Sequence, residues 1–566
     1  MLNLIPMPKV IEEKGGFLKK KTVKLPETED GRVKKAAEKL PLGRCGAKLS
    51  VSMGSGGEGY ELEIGENEIN ITADGAAGAF YAIQTLRQLF EADDVPCVYI
   101  KDKPDFKYRG FYHDVTRGKV PKVETLKKLI DKMAYHKMNE LELYVEHTFE
   151  FKEYADGTER TGALTAEEIR ELDDYCYENF IEFVPSLSTF GHLYELLEKE
   201  KYKHLREIED YDNNCMWNAR MSHHTIDPTN SESLELIKSL IDQYMPLFEH
   251  TDRFNICCDE TFDLEHGKHK GTDTGRLYID FVCKLINHVN SKGKTAMMWG
   301  DILLKHPQTI SELPENVQLL NWHYGAVTDT SRFEVFKNSG RTQIVCPGTS
   351  TWSRFCERVD CAIENISKMA EYGYKYGADG VLNTNWGDYG NPCSLELAMY
   401  MMLTGAEKSW SVHTEINSDF DERIDKLLYK QPGTADSEKR LSRLHDNISY
   451  NMIAENTCGK QNKADMEKSM PPENMRNVIA GAGELLNELN AKKWENDEYR
   501  QEMILAAKAI ILMAQYVLAV LGQPTEKYVD AKAWIAEYAS AWRRKNKESE
   551  LREIEKMFRA IDKINN

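Results

Sequence analysis

Phe254-Asn255-Ile256-Cys257-Cys258-Asp259-Glu260-Thr261 is a short, β-prone apolar run that stops abruptly at two adjacent acids. Such a run reads as a buried strand delivering both carboxylates to the carboxyl edge of a sheet, where α/β enzymes keep their chemistry. Side chains alternate along a strand, so neighbouring acids there point in different directions and can take different tasks. The competing reading is an Asp-Glu pair at a strand-to-helix junction, serving as N-cap and first-turn acid. Spacing alone leaves both readings open.

Outward from this run, from about Lys107 to about Leu403, short apolar strands alternate with amphipathic helices. The strands read as Arg109 to Val115, Glu140 to Glu146, Glu182 to Leu187, Arg253 to Cys258, Thr295 to Trp299, Val317 to Trp322, Gln343 to Cys346 and Gly380 to Asn385. Eight strands with crossovers between them predict an α/β fold of the (β/α)8 TIM barrel type, with a doubly wound open sheet as the alternative. Residues 1–103 read as a small, non-catalytic α+β domain: Tyr60 to Ile64 and Glu68 to Thr72 alternate around a turn at Gly65-Glu66-Asn67, and Gly75 to Phe90 has helical spacing. The catalytic barrel is assigned to 104–405. The charged, strongly helical remainder, 406–566, is expected to form an α-helical domain that packs on the barrel or joins two subunits in a homodimer.

The balance of 73 basic against 92 acidic residues gives a net charge of −19, which opposes binding to nucleic acid or an anionic membrane. A neutral or cationic ligand is the easier partner. The twelve cysteines are scattered without the spacing of a structural zinc site, and Cys257-Cys258 reads as reduced core. The first residues lack the basic and apolar regions of a signal peptide, so a cytoplasmic location is expected. From Met503 to Leu521 the chain is nearly all apolar, long enough to cross a bilayer. Lys508 and Gln515 interrupt it and its flanks are charged helix, so a buried bundle helix is expected instead.

Several predicted strands finish in side chains suited to gripping a polar ring: Asp114, Glu146 and His147, His192, Asp259 and Glu260, Trp299 and Asp301, Trp322 and Tyr324, Trp352, Trp386 and Asp388. A single Trp near a strand end is ordinary core packing; four on one rim, set among acids, describe a binding site. Aromatic faces stack on the C–H surfaces of sugars while carboxylates accept from hydroxyls. Metal-assisted hydrolysis is the competitor, since His147, His192, Asp259 and Glu260 are ligand types, but no His-x-His or His-Glu-x-x-His spacing supports it. Neither a metal nor an organic cofactor is expected.

These residues resemble glycoside hydrolase family 20, the β-N-acetylhexosaminidases, over the leading domain and the barrel. Leu4-Ile5-Pro6-Met7-Pro8 and the Gly78 to Leu89 stretch are similar to the family's non-catalytic domain. Tyr108-Arg109-Gly110 through Asp114-Val115-Thr116-Arg117 resembles its first barrel strand, Lys137-Met138-Asn139 the start of its second, and Phe190-Gly191-His192 its Pro-Gly-His element. The family's His-x-Gly-Gly-Asp-Glu appears as Asn255-Ile256-Cys257-Cys258-Asp259-Glu260, with Asn for His and Cys for both glycines. Tyr144-Val145-Glu146-His147 stands where Leu-Thr-Asp-Asp is usual. The chain resembles the smaller intracellular bacterial exo-hexosaminidases that carry an added C-terminal helical domain.

The resemblance implies an exo-acting, retaining hydrolysis of terminal β-linked GlcNAc or GalNAc in which the substrate's acetamido oxygen attacks the anomeric carbon. It implies Glu260 as general acid and base, kept protonated by desolvation and the neighbouring charge, and Asp259 as the group that orients the acetamido N–H. It further implies that His192 is partnered by an acid, for which Glu146 is favoured over His147. Arg109 is expected to bind sugar hydroxyls, and Asp388 to accept from the outer ones. Trp299, Trp322 and Trp386 would wall the acetamido pocket; Trp352 would complete that wall, leaving Tyr324 to donate to the acetamido oxygen. The alternatives are a sugar-binding barrel without turnover and a glycosidase for another 2-acetamido sugar linkage. The partner expected is an N-acetylhexosamine-terminated oligosaccharide or glycoconjugate.

Overall fold

The computed structural model describes residues 2–155, 162–209, 220, 224–460, 462–491, 493–495, 497–526 and 528–565. Strands β1 (Val10–Phe17), β2 (Lys48–Met53), β3 (Tyr60–Ile64), β4 (Glu68–Ala73) and β5 (Pro96–Asp102) form one sheet in the order β1-β5-β3-β4-β2. The hairpin expected around residues 65–67 is present, with Tyr60 opposite Ala73 and Ile64 opposite Ile69. Period-two alternation sends Leu62, Ile64, Ile69 and Ile71 into the core shared with the helix Ala76–Leu89.

Eight parallel strands then close into a barrel: β6 (Tyr108–Asp114), β7 (Glu140–Val145), β8 (Glu182–Leu187), β9 (Arg253–Asn255), β10 (Thr295–Trp299), β11 (Val317–Trp322), β12 (Thr342–Cys346) and β13 (Gly380–Asn385). The seam is shut by β13 against β6, with Gly380 opposite Tyr108 and Asn385 opposite His113. Strand β9 is shorter than the sequence suggests. It stops at Asn255 because Cys257 and Cys258 take φ of +57° and +64°, outside the extended region.

Every residue of β7 is buried, as a strand covered on both faces requires. Leu141, Leu143 and Val145 face the helical layer, whereas Tyr144 joins Tyr112, Val184, Met297, Leu320 and Leu382 in an apolar plug inside the barrel. Beneath the plug the interior is polar: Arg253 bridges Glu140 at 2.5 Å and Glu182 at 2.6 Å.

The helix Met399–Trp410 packs on β13 and β6 as the last helix of the barrel, so the boundary expected at 405/406 falls inside it. Its Gly405 allows the approach to Asn383, whose side-chain nitrogen would lie 2.5 Å from an added Cβ. Beyond it, helices that include Thr434–His445, Pro472–Ala491, Asp497–Val520, Ala531–Lys545 and Leu551–Asn565 pack together. Asp497–Val520 is long and apolar enough to span a membrane by length and composition, and 78% of its apolar window is buried inside the protein. Residues 545–550 form a strap over the first loop of the barrel rim. The Lys545 carbonyl accepts from Lys122 N and Thr125 Oγ1, the Val120 carbonyl accepts from Lys547 N, and the Glu550 carboxylate holds Arg220.

Candidate active site

The acid pair reaches the carboxyl edge by a bent route. Asn255, the last residue of β9, accepts from Cys257 N through Oδ1 at 2.9 Å and donates to Glu142 at 2.8 Å. Cys257 then turns its thiol into the barrel, 3.4 Å from Ser186 Oγ, while the Cys258 thiol faces Thr189 at 3.2 Å. Glu260 also has a left-handed backbone, φ +48°, as do His192 at +56° and Asp388 at +42°. Non-glycine residues held there cost on the order of 1–3 kcal/mol each and cluster at functional sites. The Phe190-Gly191-His192 turn packs on this bend, and a Cβ on Gly191 would meet the Asp259 carbonyl at 2.5 Å.

Asp259, Glu260 and His192 converge. His192 Nε2 lies 3.3 Å from Asp259 Oδ2 and 3.3 Å from Glu260 Oε2. Burial opposes a charge on the imidazole, but the Asp259 charge and the contacts to both acids outweigh it and raise its pKa to about 10. The His192 N–H donates to His224 Nδ1 at 2.6 Å and the two rings stack 4.5 Å apart.

Next to this triad lies an aromatic enclosure. Trp299 is fully buried at its floor, 6.0 Å from Trp386, and the Trp386 Nε1–H donates to Tyr324 Oη at 2.6 Å. Trp322 stacks on Tyr324 at 5.0 Å, and Trp352 packs on the same ring at 5.2 Å. Tyr112 and Tyr144 complete the surround, 5.1 and 4.9 Å from Trp386.

On the other side Arg117 Nη1 donates to Asp388 Oδ1 at 2.9 Å, while Nη2 lies 3.2 Å from His192 Nδ1 and Nε 3.4 Å from Glu146 Oε1. Its guanidinium sits over the Tyr144 and Trp386 rings at 5.0 and 5.2 Å. Asp114 fixes the loops beside it, with Oδ1 accepting from Thr116 N and Arg117 N and Oδ2 from Gly387 N.

Among the described residues three groups bring potential metal ligands within 4.8 Å of one another: His192, Asp259 and Glu260; His147, Glu195 and Glu550; and Glu207, Asp227 and His269. In the first, His192 Nε2 itself lies between the two carboxylates, 3.3 Å from each. In the second, Arg220 binds both glutamates, and in the third His269 is hydrogen-bonded to Glu207 at 2.8 Å.

Residues 106–358 match the family model described as glycosyl hydrolase family 20, catalytic domain, and residues 1–103 match glycosyl hydrolase family 20, domain 2. The chain belongs to glycosyl hydrolase family 20. It is 29% identical over 287 residues to a beta-hexosaminidase of Porphyromonas gingivalis, covering 44% of this chain and 36% of that protein. It is 26% identical over 225 residues to hexosaminidase D of Bos taurus, covering 38% and 62%. The chain therefore spans between about a third and three fifths of these relatives' lengths. Among solved structures, beta-N-acetylhexosaminidase from Bacteroides fragilis aligns with a TM-score of 0.58 at 21% identity, over 74% of this chain and 94% of that one. Flavobacterium johnsoniae chitobiase aligns with a TM-score of 0.61 at 18% identity, over 100% and 99%. At these identities the structures establish a shared fold.

Within this family 20 barrel, two expectations from the sequence are corrected. Arg109 is the second residue of β6, so it lies at the amino end of the barrel, away from the rim. It is fully buried, bound to Glu58, Tyr81 Oη and the Phe106 and Lys137 carbonyls, and joins the leading domain to the barrel. The arginine at the site is Arg117, three residues past Asp114; the signal was its place beyond the end of the strand rather than at its start. Glu146 is near His192 but is not paired with it directly. It accepts from Tyr144 Oη at 2.8 Å, and Arg117 stands between the two, contacting both. His147 lies behind Glu146, with Nδ1 3.9 Å from its carboxylate.

The other family 20 candidates, Asp259, Glu260, His192, Trp299, Trp322, Tyr324, Trp352, Trp386 and Asp388, are brought to one end of the barrel. Sequence reasoning missed Tyr112 and Tyr144, which read as ordinary strand interior. The cysteines in place of the family 20 glycines occupy two successive left-handed positions, a conformation that glycine adopts without a steric penalty.

Proposed function

We propose that this chain is an exo-acting β-N-acetylhexosaminidase that hydrolyses terminal β-linked GlcNAc or GalNAc by substrate-assisted catalysis. The observation that carries this reading is the convergence of Asp259 and Glu260 on the single Nε2 of His192, beside an enclosure walled by Trp299, Trp322 and Trp386. A retaining glycosidase with an enzymic nucleophile needs carboxyls on opposite faces of the sugar ring. Adjacent acids that touch one imidazole atom stand on the same side, so the nucleophile must come from the substrate. The 2-acetamido oxygen is placed to serve once its methyl and carbonyl enter the aromatic enclosure.

In this reading Glu260 protonates the departing glycosidic oxygen, then removes a proton from the water that opens the oxazolinium intermediate. Asp259 accepts from the acetamido N–H and stabilises the positive charge that develops on the ring. His192 bridges the two acids and fixes their carboxylates. Arg117 and Asp388 face the outer hydroxyls, where a guanidinium fork and a carboxylate supply donors and acceptor together. Tyr324, already accepting from Trp386, has its hydroxyl proton available for the acetamido oxygen. Cytoplasmic residence and a homodimer through the helical domain belong to the same proposal; light scattering of the purified chain tests the second.

Chromogenic β-GlcNAc, β-GalNAc and β-glucose substrates test the assignment. Cleavage of the two acetamido sugars with the glucoside inert is expected, together with inhibition by a thiazoline mimic of the intermediate. Equal cleavage of the glucoside would refute it, since that sugar carries no internal nucleophile.

A further inference from the structure

The peptide of Glu260 is held by a third carboxylate. Asp301 follows Trp299-Gly300 at the end of β10 and opens the short helix Asp301–Lys305. Its Oδ2 accepts from the Glu260 backbone N–H at 3.1 Å, while its Oδ1 is sealed from solvent without a hydrogen-bond partner. The residue it grips has a left-handed backbone, φ +48°, a conformation that an L-residue keeps only when its surroundings enforce it. Cys257 and Cys258 on the same bend are anchored by other means, through Asn255 for the first and Tyr278 Oη on the carbonyl of the second.

We propose that Asp301 is a positioning residue for the general acid, fixing the Glu260 backbone in the turn that aims its carboxyl at the leaving oxygen, and that its charge state is set by the acid pair it supports. This rests on the hexosaminidase reading of the site.

The titratable and charged groups around Asp301 are Asp259 and Glu260 beyond the end of β9, Cys258 and Tyr278, and Arg332 of the helix Ser331–Asn338. Burial, then the charges of Asp259 and Glu260, raise its pKa to about 7 against the hydrogen bond from Glu260 N. Asp301 is therefore neutral below that pH and brings a negative charge to the Glu260 backbone above it, and a like charge raises a neighbouring carboxyl's affinity for its proton.

Two substitutions separate positioning from bulk structure. Asp301→Leu removes the acceptor and is expected to lower kcat at least thirtyfold with KM within threefold. Asp301→Asn keeps an acceptor oxygen and is expected to recover at least tenfold of that loss. Its alkaline limb in the pH profile of kcat should fall at lower pH than the wild type's by half a unit or more. Leucine at full kcat, or asparagine no better than leucine in a folded protein, overturns the positioning role; superimposable limbs overturn the charge role. An infrared difference titration, wild type minus Asp301→Asn, isolates the Asp301 carboxyl among the other buried carboxyls and is expected to show a protonated band lost through about pH 7 without turnover. Absence of that difference band refutes the charge role, whereas a wild type inert on every chromogenic sugar refutes only the functional reading.

Discussion

Arg117 and Asp388 meet across the seam where the barrel closes, Nη1 to Oδ1 at 2.9 Å, so the first and last strand ends share one side of the site. Burial pushes the Asp388 carboxyl up against the pull of this guanidinium. The pair is a ready fork for hydroxyls, and its geometry makes the two arginines of the first strand motif separable by experiment. Arg117→Ala should reduce kcat/KM by a hundredfold or more, mostly through KM, with little change in melting temperature. Arg109→Ala should leave kcat/KM of the folded protein within about threefold while costing about 3 kcal/mol of stability, as expected when a buried ion pair loses one partner. Kinetics and denaturant melts on both variants decide this.

Glu260→Gln should lower kcat for an alkyl aglycone by about 10²–10⁴-fold, the usual worth of general acid catalysis. A nitrophenyl leaving group needs less protonation, so the loss there should be smaller. A Brønsted series over leaving groups measures the difference, and equal losses across the series would remove Glu260 from the acid role.

His192 makes a stability prediction with a definite sign. Its folded pKa lies at about 10 against an unfolded value near 6.5. The stabilisation it brings is complete below the unfolded pKa and is lost as pH rises through about 10. The melting temperature of the wild type should therefore fall by a few degrees more than that of His192→Gln between pH 6 and pH 10. Parallel curves for the two proteins would show that the imidazole is not held protonated.

The cysteines under the acid pair can be tested by comparing two small residues at the same position. Cys257→Ala loses the thiol and retains the left-handed backbone cost, whereas Cys257→Gly loses the thiol and relieves it. Glycine should be more stable than alanine there by about 1 kcal/mol, and the same ordering should hold at Cys258. Alanine as the better residue at either position would contradict the backbone described for this bend.

Tyr324→Phe leaves the Trp386 Nε1–H without its acceptor and removes the proposed donor to the acetamido oxygen. A fall in kcat of at least thirtyfold is expected for acetamido substrates. Unchanged turnover would exclude the role.

The barrel was legible because buried parallel strands are short β-prone runs at regular intervals, and because their carboxyl ends carry the polar and aromatic residues. What sequence could not convey was direction. Arg109 and Arg117 flank the same strand, and only the axis of the barrel tells which one faces substrate. Glu146 was near the right place, but a strand end cannot show that Arg117 would reach in between it and His192. The end of β9 was misjudged for a related reason: cysteine carries no signal for positive φ, whereas glycine at 257 and 258 would have marked the bend.

The strap at residues 545–550 also bears on how the molecule comes into being. Lys122 Nζ reaches the Arg543 carbonyl across 421 positions of chain, and the backbone around it is tied to the same distant segment. The loop that bears Arg117 is therefore fastened twice: Asp114 accepts from Arg117 N within the barrel, and the last helices hold Lys122 and Thr125. Domains fold as units in chain order, so the second fastening joins the loop only once the C-terminal helices have been made.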